Sequence, residues 1–407
     1  MRMPATLIAA ATALAMAAPA YAKVIPVAAG ENAQGRLQEA LILAAPGDVV
    51  ELGAGRFVLT DGLSLDVKGV TVRGAGMEAT VLDFSGQKGA GEGLLVTSDE
   101  VTLRDFAVEN TKGDGIKSKG ADNIVYYRVR VTWTGGPKTT NGAYGIYPVS
   151  STGVLVDGCK VSGASDAGIY VGQSKAITVR YNFVENNVAG IEIENSRDAL
   201  VAYNQVTRNT GGILVFDLPN LPVMGGGNTL VISNQIVAND TPNFAPKGNI
   251  VAGVPRGTGV MVMANDSVTI TGNHFSGNPG ANVMIVAYPN AFSDPKYNPL
   301  PRNVVLRRNE HWNGGFDPQL PGGAGLLAAL GGSLPPVLWD GLGDMPSADG
   351  EPDRVGLSLG LQQQGAGMTA AKPQQVFFSP PVMVLSTTPP RLPPPGAPHL
   401  LDARARP

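Results

Sequence analysis

Residues 176–196 read AITVRYNFVENNVAGIEIENS, and residues 199–217 read ALVAYNQVTRNTGGILVFD. Both carry one pattern: apolar–x–apolar, an Asn, an apolar residue two positions on, a second Asn, then Gly–apolar–x–apolar. Asn182 of the first stretch returns 22 residues later as Asn204. Aligned on this position, the chain gives a column of Cys159, Asn182, Asn204, Asn234, Asn273 and Asn309, preceded by Phe106 and Val129. The second Asn recurs at Asn187, Asn209, Asn239 and Asn278. A Gly then opens GIKS at Gly115, GIYP at Gly145, GIYV at Gly168, GIEI at Gly190, GILV at Gly212 and GVMV at Gly259.

Within each unit apolar and polar residues alternate, which is strand periodicity, and no segment inside the repeats keeps a helical period. A unit of two or three short strands cannot bury its apolar side alone, so the units must stack. Stacking sets Val on Val, Ile on Ile and Asn on Asn. At the turns the Asn amides can bond both neighbouring coils and tolerate left-handed backbone. The expected fold is all-β: about eight to nine coils of a parallel β-helix between Gly69 and Asn309.

The ends extend this reading. NAQGRLQEALILAAPGD places Leu37, Leu41 and Ala44 on one helical face, with Asn32 as N-cap and Gly47 as stop. Such a helix would cover the open N-terminal end of the stack. After Asn309 the register is expected to end. GGAGLLAALGGSLPP and STTPPRLPPPGAPH are rich in Gly and Pro, so residues 316–407 are expected to be irregular and partly disordered. Residues 1–22 read as a cleaved export signal: Arg2, an apolar run and AYA ending at Ala22. The run is short for a membrane anchor, which needs about 20 apolar residues. The expected product is residues 23–315 as β-helix plus tail, periplasmic or secreted.

Without Arg2 the chain has 29 basic against 33 acidic side chains, a balance that offers no basic field for nucleic acid. Cys159 is the only cysteine, so no internal disulfide forms, and its column favours a small buried residue over a reactive thiol. Three His and one Cys leave few ligands for a zinc or copper site. No cofactor is indicated. Carboxylates and carbonyls suited to calcium are plentiful, but none has ligand spacing.

The start APGDVVELGAGRF (residues 45–57), the capping helix and the coils resemble the pectin-lyase-like right-handed parallel β-helix superfamily. The nearest likeness is to exported bacterial β-helix proteins of the carbohydrate-binding and sugar-hydrolase type, over roughly 290 residues. The resemblance specifies fold, and this fold hosts many chemistries. KGDGIKSKGADNI (residues 112–124) is similar to a segment of polygalacturonase-type hydrolases, with Asp114 matching one acid but Gly113 at the second. YGIYP (residues 144–148) stands where alginate epimerases carry Tyr-Gly-x-Asp-Pro-His, with Tyr147 for that Asp and Val149 for that His. The expected family catalytic sets are thus absent.

In the strand after each Gly, the residue following the inward Ile or Val points outward. Coil by coil this column reads Lys117, Tyr147, Tyr170, Glu192, Leu214, Met261 and Met284. Two residues on, it reads Lys119, Val149, Gly172, Glu194, Phe216 and Met263. Gln173, Asn195 and Asp217 lie at its edge. Insertions at residues 132–143, 217–227 and 241–257 flank this face, so they would wall an axial groove. Trp133, Tyr147, Tyr170 and Phe216 could stack on sugar faces, and Lys117, Lys119 and Arg256 could pair with uronate carboxylates. For catalysis on a uronate, Lys117 or Lys119 would neutralise the carboxylate. Tyr147 or Tyr170 would serve as base or acid if a nearby cation lowered its pKa. Glu192 and Glu194 offer carboxyls for hydrolysis, though i and i+2 are about 7 Å apart along a strand.

The plainest alternative for this face is a solvated sheet surface, and for the Met stripe it is contact with a loop or the C-terminal segment. Three functions stay open: a lyase or epimerase on acidic polysaccharide, a non-catalytic saccharide binder, and a periplasmic accessory protein that binds a partner protein.

Overall fold

The computed structural model describes residues 22–89, 91–364, 367–369, 372–381 and 401–405. The segment read as an export signal and the stretch STTPPRLPPPGAPH fall outside these residues, apart from Ala22.

Each coil makes three strands and three corners. In one coil the chain runs Ala189–Glu194, then Arg197–Ala202, then Gln205–Thr207, and re-enters the first position at Gly211–Phe216. A single left-handed residue turns each corner: Asn195 (φ 47°), Tyr203 (φ 57°) and Arg208 (φ 54°). At the two Asn columns the left-handed residue is the one before the ladder Asn, not the Asn itself. The Asn acts through its amide instead. Asn182 Nδ2 donates to Asn204 Oδ1 (2.9 Å), Asn204 to Asn234 (2.9 Å), Asn234 to Asn273 (3.0 Å) and Asn273 to Asn309 (3.0 Å). Each of these acceptors also takes the backbone N–H of the preceding Asn. Asn187, Asn209, Asn239 and Asn278 form a second ladder.

Among the described residues, stacked coils give three long sheets, parallel throughout except that the last strand of the third, Gln374–Phe377, pairs antiparallel with Val355–Ser358. The first has 12 strands from Val24–Val27 to Ser347–Asp349, and the second has 10, from Gly55–Val58 to Glu310–Trp312. The third has 12 strands, from Leu63–Leu65 to Gln374–Phe377. Inside, Ile116, Ile146, Ile169, Ile191 and Ile213 stack with no exposed surface, in register. Burial of such columns is the main favourable term. The recurrent Gly is explained by closeness: a Cβ on Gly190 would stand 2.6 Å from the carbonyl oxygen of Gly212, and one on Gly212 2.4 Å from that of Gly259.

The N-terminal helix spans Ala33–Leu43 and buries Ala33, Leu37, Ala40 and Leu41. Asn32 precedes it in left-handed conformation with no side-chain cap bond, so its role is the turn, not the cap. The register does not end at Asn309. Val305–Arg307 pairs with Ser347–Asp349, Val283–Val286 with Val337–Trp339, and the latter with Val355–Ser358. The Gly-rich stretch after Asn309 is an insertion between coils, including the helix Gly323–Ala329, and chain beyond it re-pairs. The boundary drawn at residue 315 therefore cuts through the stack.

Both Asn ladders meet at the C-terminal end. Asn309 Nδ2 donates to Asp353 Oδ1 (3.0 Å), and Asn278 Nδ2 donates to Asn282 Oδ1 (3.1 Å). His311 lies between these ends, 2.9 Å from Asp353 and 3.2 Å from Asn282. Cys159 is fully buried, and burial pushes its thiol up to about 12. A thiol reagent is expected to leave the native protein unlabelled and to modify one thiol on unfolding; labelling of the native protein would contradict this placement.

Candidate functional site

The outward column of the third sheet has the expected register: Lys117 beside Tyr147, Tyr170 beside Glu192, Glu192 beside Leu214, Leu214 beside Met261, and Met261 beside Met284. What differs is exposure. Leu214, Phe216, Met261, Met263 and Met284 are buried beneath a second apolar core. Leu218, Val251, Val254, Tyr297 and Leu334 from four separate insertions help build it. The Met stripe is therefore a contact with the chain's own loops. The insertions cover the C-terminal half of the face rather than walling an open groove along it.

Where the apolar cover gives way, polar side chains gather. The rings of Tyr144, Tyr147 and Tyr170 form a triangle with centroids 4.5, 4.6 and 4.9 Å apart. Lys117 Nζ lies 4.8 Å from the Tyr147 ring centre, 3.0 Å from Glu92 Oε1 and 3.6 Å from Asp114 Oδ2. Tyr170 donates its hydroxyl to Glu194 Oε1 at 2.6 Å. Asn249, from the 241–257 insertion, donates to Asp166 Oδ2 at 3.1 Å. Asp166 Oδ1 and both oxygens of Glu192 are buried and make no hydrogen bond of ordinary geometry, although Glu194 lies close enough to share a proton with Glu192, and the Tyr144 hydroxyl lies beside Asp166. Glu192 is 1% and Glu194 6% exposed, so neither belongs to a solvated strand.

Burial sets the protonation of this cluster. It holds Glu192 well above the ordinary carboxylate range, with Asp166 and Glu194 adding to the effect. It pushes Asp166 up to about 7, helped by Glu194, and Glu194 up to about 7 against the Tyr170 hydroxyl bond. Asp114 rises to about 6, burial outweighing Lys117. For Lys117 burial works against the charge, but Glu92 and Asp114 more than offset it and its pKa is raised. Tyr147 and Tyr170 are both raised by burial, Tyr147 in spite of Lys117. Neither is a base near neutral pH; both are hydrogen-bond donors.

Of the residues singled out from sequence, Lys117, Tyr147, Tyr170, Glu192 and Glu194 come together here. Lys119 is exposed farther along its strand. The others serve structure. Trp133 lies in the main core, its Nε1 donating to Thr111 O at 2.7 Å. Phe216 is fully buried under the cover. Asn195 holds the 217–227 loop through Leu218 O (2.8 Å) and Val223 O (3.0 Å), and Gln173 accepts from Val223 N at 3.3 Å. Asp217 accepts from Gly225 N at 3.0 Å, and burial raises it to about 6. Arg256 is paired with Asp317 and so is not free for a uronate. Asp166, Tyr144, Glu92 and Asn249 went unread. Tyr144 and Asp114 share the column just before the recurrent Gly, and Asp166 stands one position earlier. Extending the column reading two residues upstream finds all three. Among the described residues no group of three or more His, Cys, Asp and Glu is arranged to hold a metal ion, and no helix is long and apolar enough to cross a membrane.

Residues 68–236 match the family model described as the right handed beta helix region. No curated protein matches the chain in sequence. Among solved structures, the mannuronan C-5 epimerase A-module of Azotobacter vinelandii is similar, with 17% identity over 79% of this chain and 92% of that one (TM-score 0.53). A polygalacturonase from Erwinia carotovora ssp. carotovora is similar with 13% identity over 78% of this chain and 91% of that one (TM-score 0.54). At these identities the likeness is one of fold. Three stacked sheets, two Asn ladders and the match over residues 68–236 together give this chain the right-handed parallel β-helix fold.

Proposed function

We propose that the chain binds a saccharide polymer across the tyrosine–carboxyl cluster of the third sheet and cleaves it by hydrolysis. The observation that carries this reading is Glu192: a fully buried carboxyl beside Asp166 and Glu194, with Glu194 close enough to share its proton, at the edge of the apolar cover. Such a group keeps its proton at neutral pH and can give it to a glycosidic oxygen. Asp166, oriented by Asn249 and with the Tyr144 hydroxyl beside it, is suited to take the proton of an attacking water. The water oxygen bonds to the anomeric carbon as the bond to the leaving sugar breaks. Tyr147, half-buried beside Lys117, offers a ring for stacking.

Lyase and epimerase chemistry is less well supported. It needs a tyrosine base and a free cation, and here the tyrosines are raised and Lys117 is held by Glu92 and Asp114. The partner-protein reading loses its apolar stripe to the chain's own loops. Binding without turnover remains the second reading, supported by the tyrosine triangle alone.

The test is incubation of residues 23–407 with neutral and acidic polysaccharides, following new reducing ends, ultraviolet absorbance and melting temperature. Reducing ends that vanish in Glu192→Gln would support hydrolysis. Rising absorbance would indicate a lyase, and a thermal shift alone a binder. Because Asn249 holds the Asp166 carboxyl down, Asn249→Ala should move the rising limb of the pH–rate profile upward; an unmoved limb would remove Asp166 as base. Export belongs to the same proposal, and N-terminal sequencing of secreted or periplasmic protein should begin at Lys23.

A further inference from the structure

We propose that the sugar residue bound at this cluster is uncharged, so that the site accepts neutral, hydroxyl-rich saccharides and rejects uronates; this rests on the saccharide reading above. The carboxyls at the site are Glu92, Asp114, Asp166, Glu194 and the protonated Glu192, against one lysine in contact with them, Lys117. That lysine is held by two carboxyls, 3.0 and 3.6 Å away, and lies over a tyrosine ring. A bound uronate would add a carboxylate to a surplus of carboxyls, and among the described residues in contact with the cluster the one cation, Lys117, already has partners. Arg256, the guanidinium on the neighbouring insertion, is committed to Asp317. Lys119 is two positions farther along the strand, about 7 Å away, at the exposed end.

The buried oxygens point the same way. Asp166 Oδ1 and both Glu192 oxygens are buried with no hydrogen bond of ordinary geometry, facing only Tyr144 and Glu194, and such groups are satisfied by donors and acceptors together. A sugar hydroxyl is both. A carboxylate only accepts, so it can meet a protonated carboxyl but repels an ionised one. Rejection of this kind is specificity by like-charge placement.

Matched ligands isolate the charge: tetrasaccharides of galacturonate, mannuronate and glucuronate, each against its carboxyl-reduced neutral counterpart. Calorimetric titration of residues 23–407 near pH 8 is expected to show the neutral member of at least one pair binding about a hundredfold more tightly. The gap should narrow about tenfold in Glu194→Gln, which removes one charge at nearly constant shape. Lys119→Ala should leave neutral binding unchanged, which checks that the variants fold and that the outlying lysine is not the anchor. Equal or tighter binding of the acidic member would overturn the inference while leaving saccharide binding intact. No binding in any pair, with no reducing ends released from any polymer, would overturn the saccharide reading and this inference with it.

Discussion

Asn204→Ala is expected to destabilise the protein by about 3–5 kcal/mol, read as a fall in the denaturant midpoint. The side chain makes four bonds across three coils. Its Nδ2 donates to Val179 O (3.0 Å) and Asn234 Oδ1 (2.9 Å), and its Oδ1 accepts from Asn182 N (3.0 Å) and Asn182 Nδ2 (2.9 Å). All of these groups are buried, so alanine leaves the Asn182 N–H without its partner and takes one bond each from Asn182 Nδ2, Val179 O and Asn234 Oδ1, of which Asn182 Nδ2 keeps Val156 O and Asn234 Oδ1 keeps the backbone N–H of residue 204. An unsatisfied buried group costs about 1–3 kcal/mol, and neighbouring losses in one network do not simply add. Asn204→Asp, at a pH that protonates it, keeps the acceptor and offers one O–H donor in place of two N–H donors, so it should fall between wild type and alanine. A change within about 0.5 kcal/mol for alanine would mean that corner sterics, not the amide ladder, hold the coils.

Glu192→Gln is expected to lower hydrolysis by about 10²- to 10⁴-fold while raising stability in mild alkali. The sign of the second effect follows from linkage. Burial raises Glu192 well above the ordinary carboxylate range, and Asp166 and Glu194 to about 7. For groups raised on folding, the folded chain binds more protons than the unfolded one. Their stabilising share is complete below pH 4 or so and is lost as pH rises through the folded values. The melting temperature should therefore fall between about pH 5 and 8. Glutamine cannot ionise and also relieves the repulsion on Asp166 and Glu194, so the variant's curve should be flatter. A variant curve parallel to wild type would show that the three carboxyls do not titrate as a group. Unchanged turnover would remove Glu192 as the acid even if the pH curve flattened.

The coil was legible because its two periods are local. Alternation sends Ile191 inward and Glu192 outward whatever surrounds them, and the 22-residue offset from Asn182 to Asn204 sets the stacking register. The order Lys117, Tyr147, Tyr170, Glu192, Leu214, Met261 and Met284 along one face could be read before any coordinate. So could the burial of Cys159 and the helix over the N-terminal end. The stop at Asn309 was misread because Gly and Pro mark an insertion as readily as an end, and only the pairing of Val305–Arg307 with Ser347–Asp349 separates the two.

By itself, then, the sequence determined the direction of each side chain and the neighbour above and below it. Tertiary structure alone decided which outward residues meet water. Phe216 and Met263 point away from the coil and are nonetheless buried, because insertions with no period of their own fold back over them. The same holds for charge. Arg256 finds Asp317, and Asn249 finds Asp166, across 61 and 83 residues of chain. Burial under the cover, with Asp166 and Glu194 adding to it, is what holds Glu192 well above the ordinary carboxylate range. A repeat fixes orientation coil by coil, whereas burial and protonation are sums over everything nearby, and those neighbours come from loops the repeat does not encode.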